Sequence, residues 1–167
     1  MIPFRPDTAK SRLPAGTRAL LADAMLNDVL RACGRVGRPM IADGVGGQGA
    51  AVAAALAELP DEPVLVVNAD LPCATPRDLL TLLGAVPEGG LALVEAADGT
   101  TNALALATPV LFKPVYGPGS AERFAALAPS RVLEIPNLAD DVDTLADLDR
   151  LAGRLGTRTR TARAEAA

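Results

Sequence analysis

The chain has 167 residues, of which 50% are hydrophobic and only 2% aromatic, and its net charge is −4. This length is typical of a single domain, and the core must be built from aliphatic side chains. The sequence contains no histidine, which excludes Ser-His-Asp and Cys-His catalysis and histidine-ligated zinc. The acidic charge argues against a nucleic-acid partner. No apolar run is long enough to span a membrane, so we expect a cytoplasmic protein that binds neither nucleic acid nor membrane.

Helix and strand patterns alternate along the first half of the chain. Apolar residues at helical spacing predict a helix over residues 17–33, and a brief strand is predicted over residues 39–42. A glycine-rich loop then leads into a second predicted helix over residues 50–59. The clearest strand covers residues 63–68, which are apolar on both faces, as in the centre of a covered parallel sheet.

The second half of the chain continues this alternation. We predict helices over residues 75–83, 120–127 and 144–155, and strands over residues 91–95, 103–107 and 131–135. Alternating strands and helices imply right-handed crossovers, and hence an α/β protein with three α/β/α layers and a mostly parallel sheet. We assign residues 1–156 to this single domain. Residues 157–167 show no apolar period, and we predict a disordered tail there.

Three aspartates stand where such a sheet binds its ligand, beyond the carboxyl ends of the strands. Asp70 follows the clearest strand, and Asp141 and Asp143 have the i, i+2 spacing that puts both side chains on one side of an extended segment. Like charges that converge are unfavourable unless a cation lies between them, and Mg²⁺ prefers carboxylate oxygens. The alternative is structural: Asp70 as a turn residue, and the acidic pair as favourable charge at the N-terminus of the last helix.

Three further segments have the chemistry to bind phosphate. Lys10 is one of two lysines among sixteen basic residues, and a compact ammonium suits phosphate, although a solvated surface lysine is as common. The loop that includes Gly47, Gln48 and Gly49 opens a helix and can offer N–H groups to phosphate, ribose or base; a flexible connector fits equally. Ser120 as an N-cap, with Arg123 in the first turn, could hold a small phosphorylated acid, or could form an ordinary helix start.

Taken in order, these pieces resemble the guanylyltransferases of coenzyme F420 biosynthesis, which have a MobA-like, nucleotide-diphospho-sugar-transferase-like fold. The resemblance implies an enzyme that transfers GMP from GTP to a phosphorylated three-carbon acid and releases pyrophosphate. The stretches that carry it are IPFRPDTAKSRL (2–13), ALLADAMLNDVL (19–30), GQGAAVAAAL (47–56), VLVVNADLP (64–72), GTTNALAL (99–106), YGPGSAERF (116–124) and DDVDTLADL (140–148).

The resemblance also implies roles for single residues. Asp70, Asp141 and Asp143 match the family's Mg²⁺ ligands. The catalytic residues implied are Lys10 and Asp70; the nucleotide-binding residues are Lys10, Gly47, Gln48 and Gly49; the residues that bind the phospho-acid are Asn102, Gly117, Ser120 and Arg123. The acceptor implied is phosphoenolpyruvate, 2-phospho-L-lactate or 3-phosphoglycerate.

The chain also departs from the family's pattern. One β-α unit of the nucleotide-binding half is missing between Cys33 and Pro39, and Gly49 stands where many members have Asn. Two alternatives therefore stay open. One is another MobA-like nucleotidyltransferase, and the other is a non-catalytic binding subunit with the same fold, which need not bind GTP in a Mg²⁺-dependent way.

Overall fold

The computed structural model describes residues 1–4, 13 and 15–166, which form helices and strands in alternation. The strands are β1 (Ile2–Pro3), β2 (Ile41–Ala42), β3 (Val64–Val67), β4 (Leu91–Glu95), β5 (Thr101–Leu106) and β6 (Ser130–Val132). The helices are α1 (Arg18–Cys33), α2 (Gln48–Leu56), α3 (Pro76–Gly84), α4 (Ser120–Ala125), α5 (Pro136–Ala139), α6 (Leu145–Arg150) and α7 (Thr157–Ala166). Of the helices described, none has the length and apolar character needed to cross a membrane.

The strands lie side by side in the order β2-β1-β3-β5-β4-β6. β1 pairs with β2 in parallel, and β3, β5, β4 and β6 form a four-stranded sheet. Met1 joins the two sets, since its nitrogen donates to Leu65 O at 2.8 Å and its oxygen accepts from Val67 N at 3.0 Å, the pattern of a parallel pair. Among the described strands only β5 runs antiparallel to its neighbours. The prediction of a mostly parallel sheet is confirmed.

Helices cover both faces of this sheet. Side chains of α1, α3 and α5 pack on one face, and side chains of α2 and α4 pack on the other. The alternation along β4 shows the division, since Ala92 and Val94 face the first layer whereas Leu91 and Leu93 face the second. The domain therefore has the three α/β/α layers that the sequence predicts.

The connection from α1 to β2 is short. Residues 34–40 consist of turns and extended backbone, without a strand or helix, so β2 directly follows α1 and pairs with β1. This agrees with the predicted loss of one β-α unit. The predicted helix over residues 144–155 is shorter in the structure: α6 ends at Arg150 and turns follow. The short helix α5 was not predicted.

The C-terminal segment differs from the predicted disordered tail, because it forms the helix α7 and packs against α1. Asp28 of α1 is only 8% exposed. Its carboxylate accepts hydrogen bonds from the main-chain N–H groups of Arg158 at 3.1 Å and Thr159 at 2.8 Å. These groups belong to the first turn of α7, where N–H groups have no partner within the helix. A carboxylate from α1 thus caps α7, which explains why this segment is ordered despite its polar sequence.

We predict that Asp28→Ala lowers the free energy of unfolding by about 1–3 kcal/mol, because two N–H groups in the first turn of α7 lose a charged acceptor. Urea denaturation measures the change, and hydrogen exchange should show faster exchange in α7 than in the sheet. Asp23→Ala is the matched control, since Asp23 is an exposed aspartate on the same helix. Equal stability of the two variants would show that Asp28 does not hold α7.

Candidate active site

Three carboxylates meet beyond the carboxyl end of β3. Asp70 is the third residue after this strand, and its main-chain oxygen accepts a hydrogen bond from Val142 N at 3.1 Å. Val142 is fully buried, whereas Asp141 and Asp143 on either side of it are half-buried. Carboxylate oxygens of Asp70, Asp141 and Asp143 lie within 4.8 Å of one another. The structure thus brings together the three aspartates that the sequence analysis groups.

Ion pairs and a helix cap hold residues 140–143, the acidic segment, in place. Asp140 accepts hydrogen bonds from the guanidinium groups of Arg150, at 2.7 Å, and Arg154. Partial burial raises the pKa of Asp140, but the hydrogen bonds from Arg154 and Arg150 outweigh this effect and keep the pKa below its ordinary value. Asp147 accepts from Asp143 N at 3.2 Å, which fixes the main chain at the last of the three carboxylates.

The same Asp147 forms the cap of α6. The Thr144 hydroxyl accepts from Asp147 N, and the Asp147 carboxylate accepts from Thr144 N at 2.9 Å, which makes a capping box. Burial raises the pKa of Asp147, but the hydrogen bonds from Thr144 and Arg150 lower it further than burial raises it. The helix start is therefore built by Thr144 and Asp147. Asp141 and Asp143 are not needed to cap α6, and their side chains are placed in the acidic cluster instead.

The donor set fits a hard divalent cation. It consists of carboxylate oxygens from two separate segments, which is the ligand chemistry that Mg²⁺ prefers. Each carboxylate is half-buried, so solvent screens their mutual repulsion only in part. A cation among them would relieve that repulsion and leave coordination positions for phosphate oxygens.

A chain of three amide side chains runs from the start of α2 to the acidic segment. Gln48 Nε2 donates to Asn68 Oδ1 at 2.8 Å, and Asn68 Nδ2 donates to Thr101 O at 3.3 Å. Asn68 Nδ2 also lies 3.5 Å from Asn102 Oδ1. Asn102 is 3% exposed, and its Nδ2 donates to Ala139 O at 3.0 Å. Asn102 thus supports the main chain directly before the acidic segment.

Sequence reasoning missed Asn68. A polar residue at the end of an otherwise apolar strand, two positions before Asp70, is the signal that could have singled it out. The predicted site residues Gly47, Gln48 and Gly49 lie at the start of α2, where Gly47 is the N-cap and the Gln48 side chain is exposed. Lys10 lies outside the described residues.

Gly49 marks a close approach between two loops. A Cβ atom added to Gly49 would lie 2.9 Å from Pro114 Cβ and 3.2 Å from its Cα, which is too close for any side chain to be added without a shift. The absence of a side chain at Gly49 therefore lets the segment before α4 pack against the start of α2, so that both loops border the same edge of the sheet.

The segment before α4 differs in detail from the prediction. Gly119, with a left-handed φ of +70°, is the N-cap of α4, and Ser120 is the first helical residue rather than the cap. Ser120 is fully buried, and its hydroxyl lies 3.1 Å from the Thr101 hydroxyl on β5. Only glycine adopts such a φ readily, so Gly119 forms the turn before α4. Ser120 then lies in the interior, next to β5.

The Arg123 side chain donates hydrogen bonds to main-chain carbonyls. Its guanidinium donates to Val115 O at 3.0 Å, to Pro118 O at 2.7 Å and to Gly117 O at 3.3 Å. From the sequence we expect Arg123 to bind phosphate directly. In the structure these bonds use much of the donor capacity of the guanidinium, and Arg123 shapes the loop that contains Gly117.

Three aromatic rings support the same loop. Tyr116 lies 5.2 Å from Phe124 and 6.0 Å from Phe112, measured between ring centroids. Burial raises the pKa of Tyr116, so its hydroxyl stays protonated. Since Tyr116 directly precedes Gly117, the ring cluster anchors one end of the loop and Arg123 holds the rest.

We predict that the protein binds Mn²⁺ or Mg²⁺ at the three carboxylates, and that Asp141→Asn and Asp143→Asn each weaken binding at least about tenfold, because an amide replaces a charged ligand. Mn²⁺ titration followed by electron paramagnetic resonance measures free cation directly. Asp23→Asn, an exposed aspartate on α1, is the control and should bind like the unmodified chain. Equal affinity in all of these proteins would place the cation elsewhere.

Comparison with known proteins shows the relationships of this chain. The family described as MobA-like NTP transferase domain matches residues 10–156. A phosphoenolpyruvate guanylyltransferase of Nocardia farcinica is 37% identical over 163 residues, which cover 92% of this chain and 72% of the relative. A 2-phospho-L-lactate guanylyltransferase of Halorubrum lacusprofundi is 33% identical, over 90% of this chain and 82% of the relative.

Coverage varies among the relatives. A phosphoenolpyruvate guanylyltransferase of Sphaerobacter thermophilus is 43% identical over 98 residues, but the match spans 55% of this chain and 47% of the relative's length. Among solved structures, a candidate nucleotide-diphospho-sugar transferase from Desulfovibrio desulfuricans G20 superposes with a TM-score of 0.66 over 98% of this chain and 93% of the other, at 18% identity. That likeness concerns the fold alone.

Proposed function

Because the chain belongs to the family of MobA-like NTP transferase domains, we propose that it is a Mg²⁺-dependent guanylyltransferase of coenzyme F420 biosynthesis. It would transfer GMP from GTP to phosphoenolpyruvate or 2-phospho-L-lactate and release pyrophosphate. The observation that carries this proposal is the convergence of Asp70, Asp141 and Asp143 at the carboxyl edge of the sheet, where α/β proteins bind their ligands. The names of the relatives support the choice of substrates.

The carboxylate cluster would help to overcome the main barrier to this reaction, which is repulsion between the two substrates. GTP and a phospho-acid are both polyanions, so they repel each other. A bound Mg²⁺ would neutralise part of the phosphate charge. The task of the protein is then to place three carboxylates on two segments, which are the turn after β3 with Asp70 and the stretch with Asp141 and Asp143. Fixed ligands favour the in-line arrangement of the attacking and leaving oxygens.

The acceptor would occupy the loop before α4. We place its phosphate at the loop that contains Gly117, which Arg123 keeps in shape through its bonds to the main chain. The predicted contact with Ser120 is replaced by a structural role, because Ser120 is fully buried and its hydroxyl faces Thr101 of β5. The nucleophile is a phosphate oxygen that is already ionised near pH 7, so the reaction requires no general base. This suits a chain without histidine. The same pocket chemistry would accept 3-phosphoglycerate, which shares the carboxylate and phosphate groups.

The nucleotide would occupy the opposite side of the carboxylates. We propose that Gly47, Gln48 and Gly49 at the start of α2 line this side, and that Lys10 contributes a positive charge to the GTP phosphates. The N-terminus of α2 adds main-chain N–H groups and the positive end of a helix dipole. Together with the acceptor loop, which reaches Gly49 through Pro114, these groups would hold the two substrates side by side.

Pyrophosphate release tests the proposal. The protein is incubated with GTP, Mg²⁺ and, separately, phosphoenolpyruvate, 2-phospho-L-lactate and 3-phosphoglycerate. We expect release that depends on one of the acids, and we expect Asp70→Asn to reduce the rate by about three orders of magnitude, since a lost ligand removes several kcal/mol of charge stabilisation. Asp23→Asn should retain the full rate.

Two results would contradict the proposal. Folded protein that releases no pyrophosphate with any of the three acids would favour a non-catalytic binding subunit of the same fold. Equal rates with GTP and ATP would favour another MobA-like nucleotidyltransferase. In either case circular dichroism of each variant establishes that the protein tested is folded.

A further inference from the structure

The amide chain that starts at Gln48 suggests how the protein selects its nucleotide. We propose that Asn68 is a positioning residue, which orients the Gln48 side chain so that Gln48 Oε1 accepts a hydrogen bond from the guanine base of GTP. This inference rests on the proposed function, to which it adds the residues that distinguish guanine from adenine. It is carried by the directions of the hydrogen bonds between Gln48, Asn68 and the main chain of β5.

Main-chain carbonyls fix the orientation of the two asparagine amides. Asn68 Nδ2 faces Thr101 O at 3.3 Å, and Asn102 Nδ2 faces Ala139 O at 3.0 Å. A carbonyl oxygen can only accept a hydrogen bond, so the group that faces it must be the NH₂ group of the amide. The opposite end of the Asn68 amide, Oδ1, is therefore an acceptor, and it is this atom that faces Gln48.

The orientation of Asn68 determines that of Gln48. Because Asn68 Oδ1 can only accept, the Gln48 atom that lies 2.8 Å from it must be Nε2. Gln48 Oε1 then forms the outer end of the amide. The Gln48 side chain is exposed whereas Asn68 is half-buried, so the chain of amides presents a carbonyl oxygen at the surface, at the start of α2.

A carbonyl oxygen at this place discriminates between purines. The N1 and N2 atoms of guanine carry hydrogens and donate, whereas N1 of adenine has a lone pair and only accepts. An oxygen that faces this edge gains a hydrogen bond with guanine and meets a second acceptor with adenine. Specificity of this kind comes as much from the repelled competitor as from the favoured ligand.

The position of the amides agrees with a role at the nucleotide. Asn68 lies two residues before Asp70, and its main-chain N–H donates to Asn102 O at 3.0 Å, so its backbone is part of the pairing of β3 with β5. A side chain held on this rigid backbone loses little further freedom when a ligand binds. Its hydrogen bond to Gln48 favours one orientation of the Gln48 amide before the nucleotide arrives.

The test compares GTP with ATP in the unmodified protein and in three variants, Gln48→Ala, Asn68→Leu and the double variant. Pyrophosphate release with the preferred acid gives kcat/KM for each nucleotide, and calorimetric titration with GDP and ADP gives affinities without turnover. We expect Gln48→Ala to lower the GTP-to-ATP ratio of kcat/KM at least about tenfold, mainly through GTP, because one hydrogen bond to the base is lost.

The asparagine variant tests whether Asn68 acts through Gln48. Asn68→Leu should lower the same ratio although Gln48 is present, and the double variant should be no less selective than Gln48→Ala alone, since one interaction cannot be lost twice. A merely structural role of Asn68 would lower stability and the rates with both nucleotides alike, and would leave the ratio unchanged. Asn27→Ala removes an exposed amide from α1 and is the control, with an unchanged ratio.

The outcomes separate this inference from the proposed function. An active protein whose Gln48→Ala variant keeps its full preference for GTP overturns the inference and leaves the function standing. A protein without transferase activity that binds GDP better than ADP, and loses this preference in Gln48→Ala, supports the inference while the function fails. A preference for GDP that is unchanged in both single variants overturns the inference whatever the activity.

Discussion

Electrostatic repulsion among Asp70, Asp141 and Asp143 is the constraint on which this site depends. The fold brings the three carboxylates together because Val142 between two of them is buried and its N–H donates to the main chain of Asp70. Neighbouring groups stabilise that arrangement. Arg150 and Arg154 pair with Asp140, and Asp147 caps α6. The three carboxylates therefore lie together at the edge of the sheet where α/β proteins bind their ligands.

Bonds from side chains to main-chain carbonyls fix the segments around this edge. Arg123 donates to the carbonyls of the loop before α4, and Asn68 and Asn102 donate to carbonyls of β5 and of the segment before the cluster. Side chains held in this way lose little freedom on binding. The close contact between Gly49 and Pro114 brings the segment before α4 and the start of α2 together. This closeness suits the proposed transfer, in which two anionic substrates must meet.

Much of this arrangement follows from local sequence rules. The position of Asp70 after an apolar strand and the i, i+2 spacing of Asp141 and Asp143 predict the cluster, because strand ends meet at one edge and extended residues alternate. What the sequence does not reveal depends on contacts between distant residues. Helix α7 was predicted as disordered because its capping group, Asp28, is 130 residues away from Arg158. The role of Arg123 was predicted from its charge, but its partners are loop carbonyls, which no sequence pattern marks. Asn68 was missed because its proposed role depends on the direction of its hydrogen bonds, which only the structure shows.

Identification of the reaction product tests the central claim most directly. Phosphorus NMR of a mixture that contains the protein, Mg²⁺, GTP and phosphoenolpyruvate distinguishes the possible products by the linkage of their phosphorus atoms. If the carboxylates promote transfer of GMP to the phospho-acid, the spectrum should show a pair of mutually coupled resonances from a new diphosphate linkage, together with free pyrophosphate, and Asp70→Asn should abolish both. Formation of GDP and inorganic phosphate without a new diphosphate would show that the site hydrolyses GTP instead, and would contradict the account.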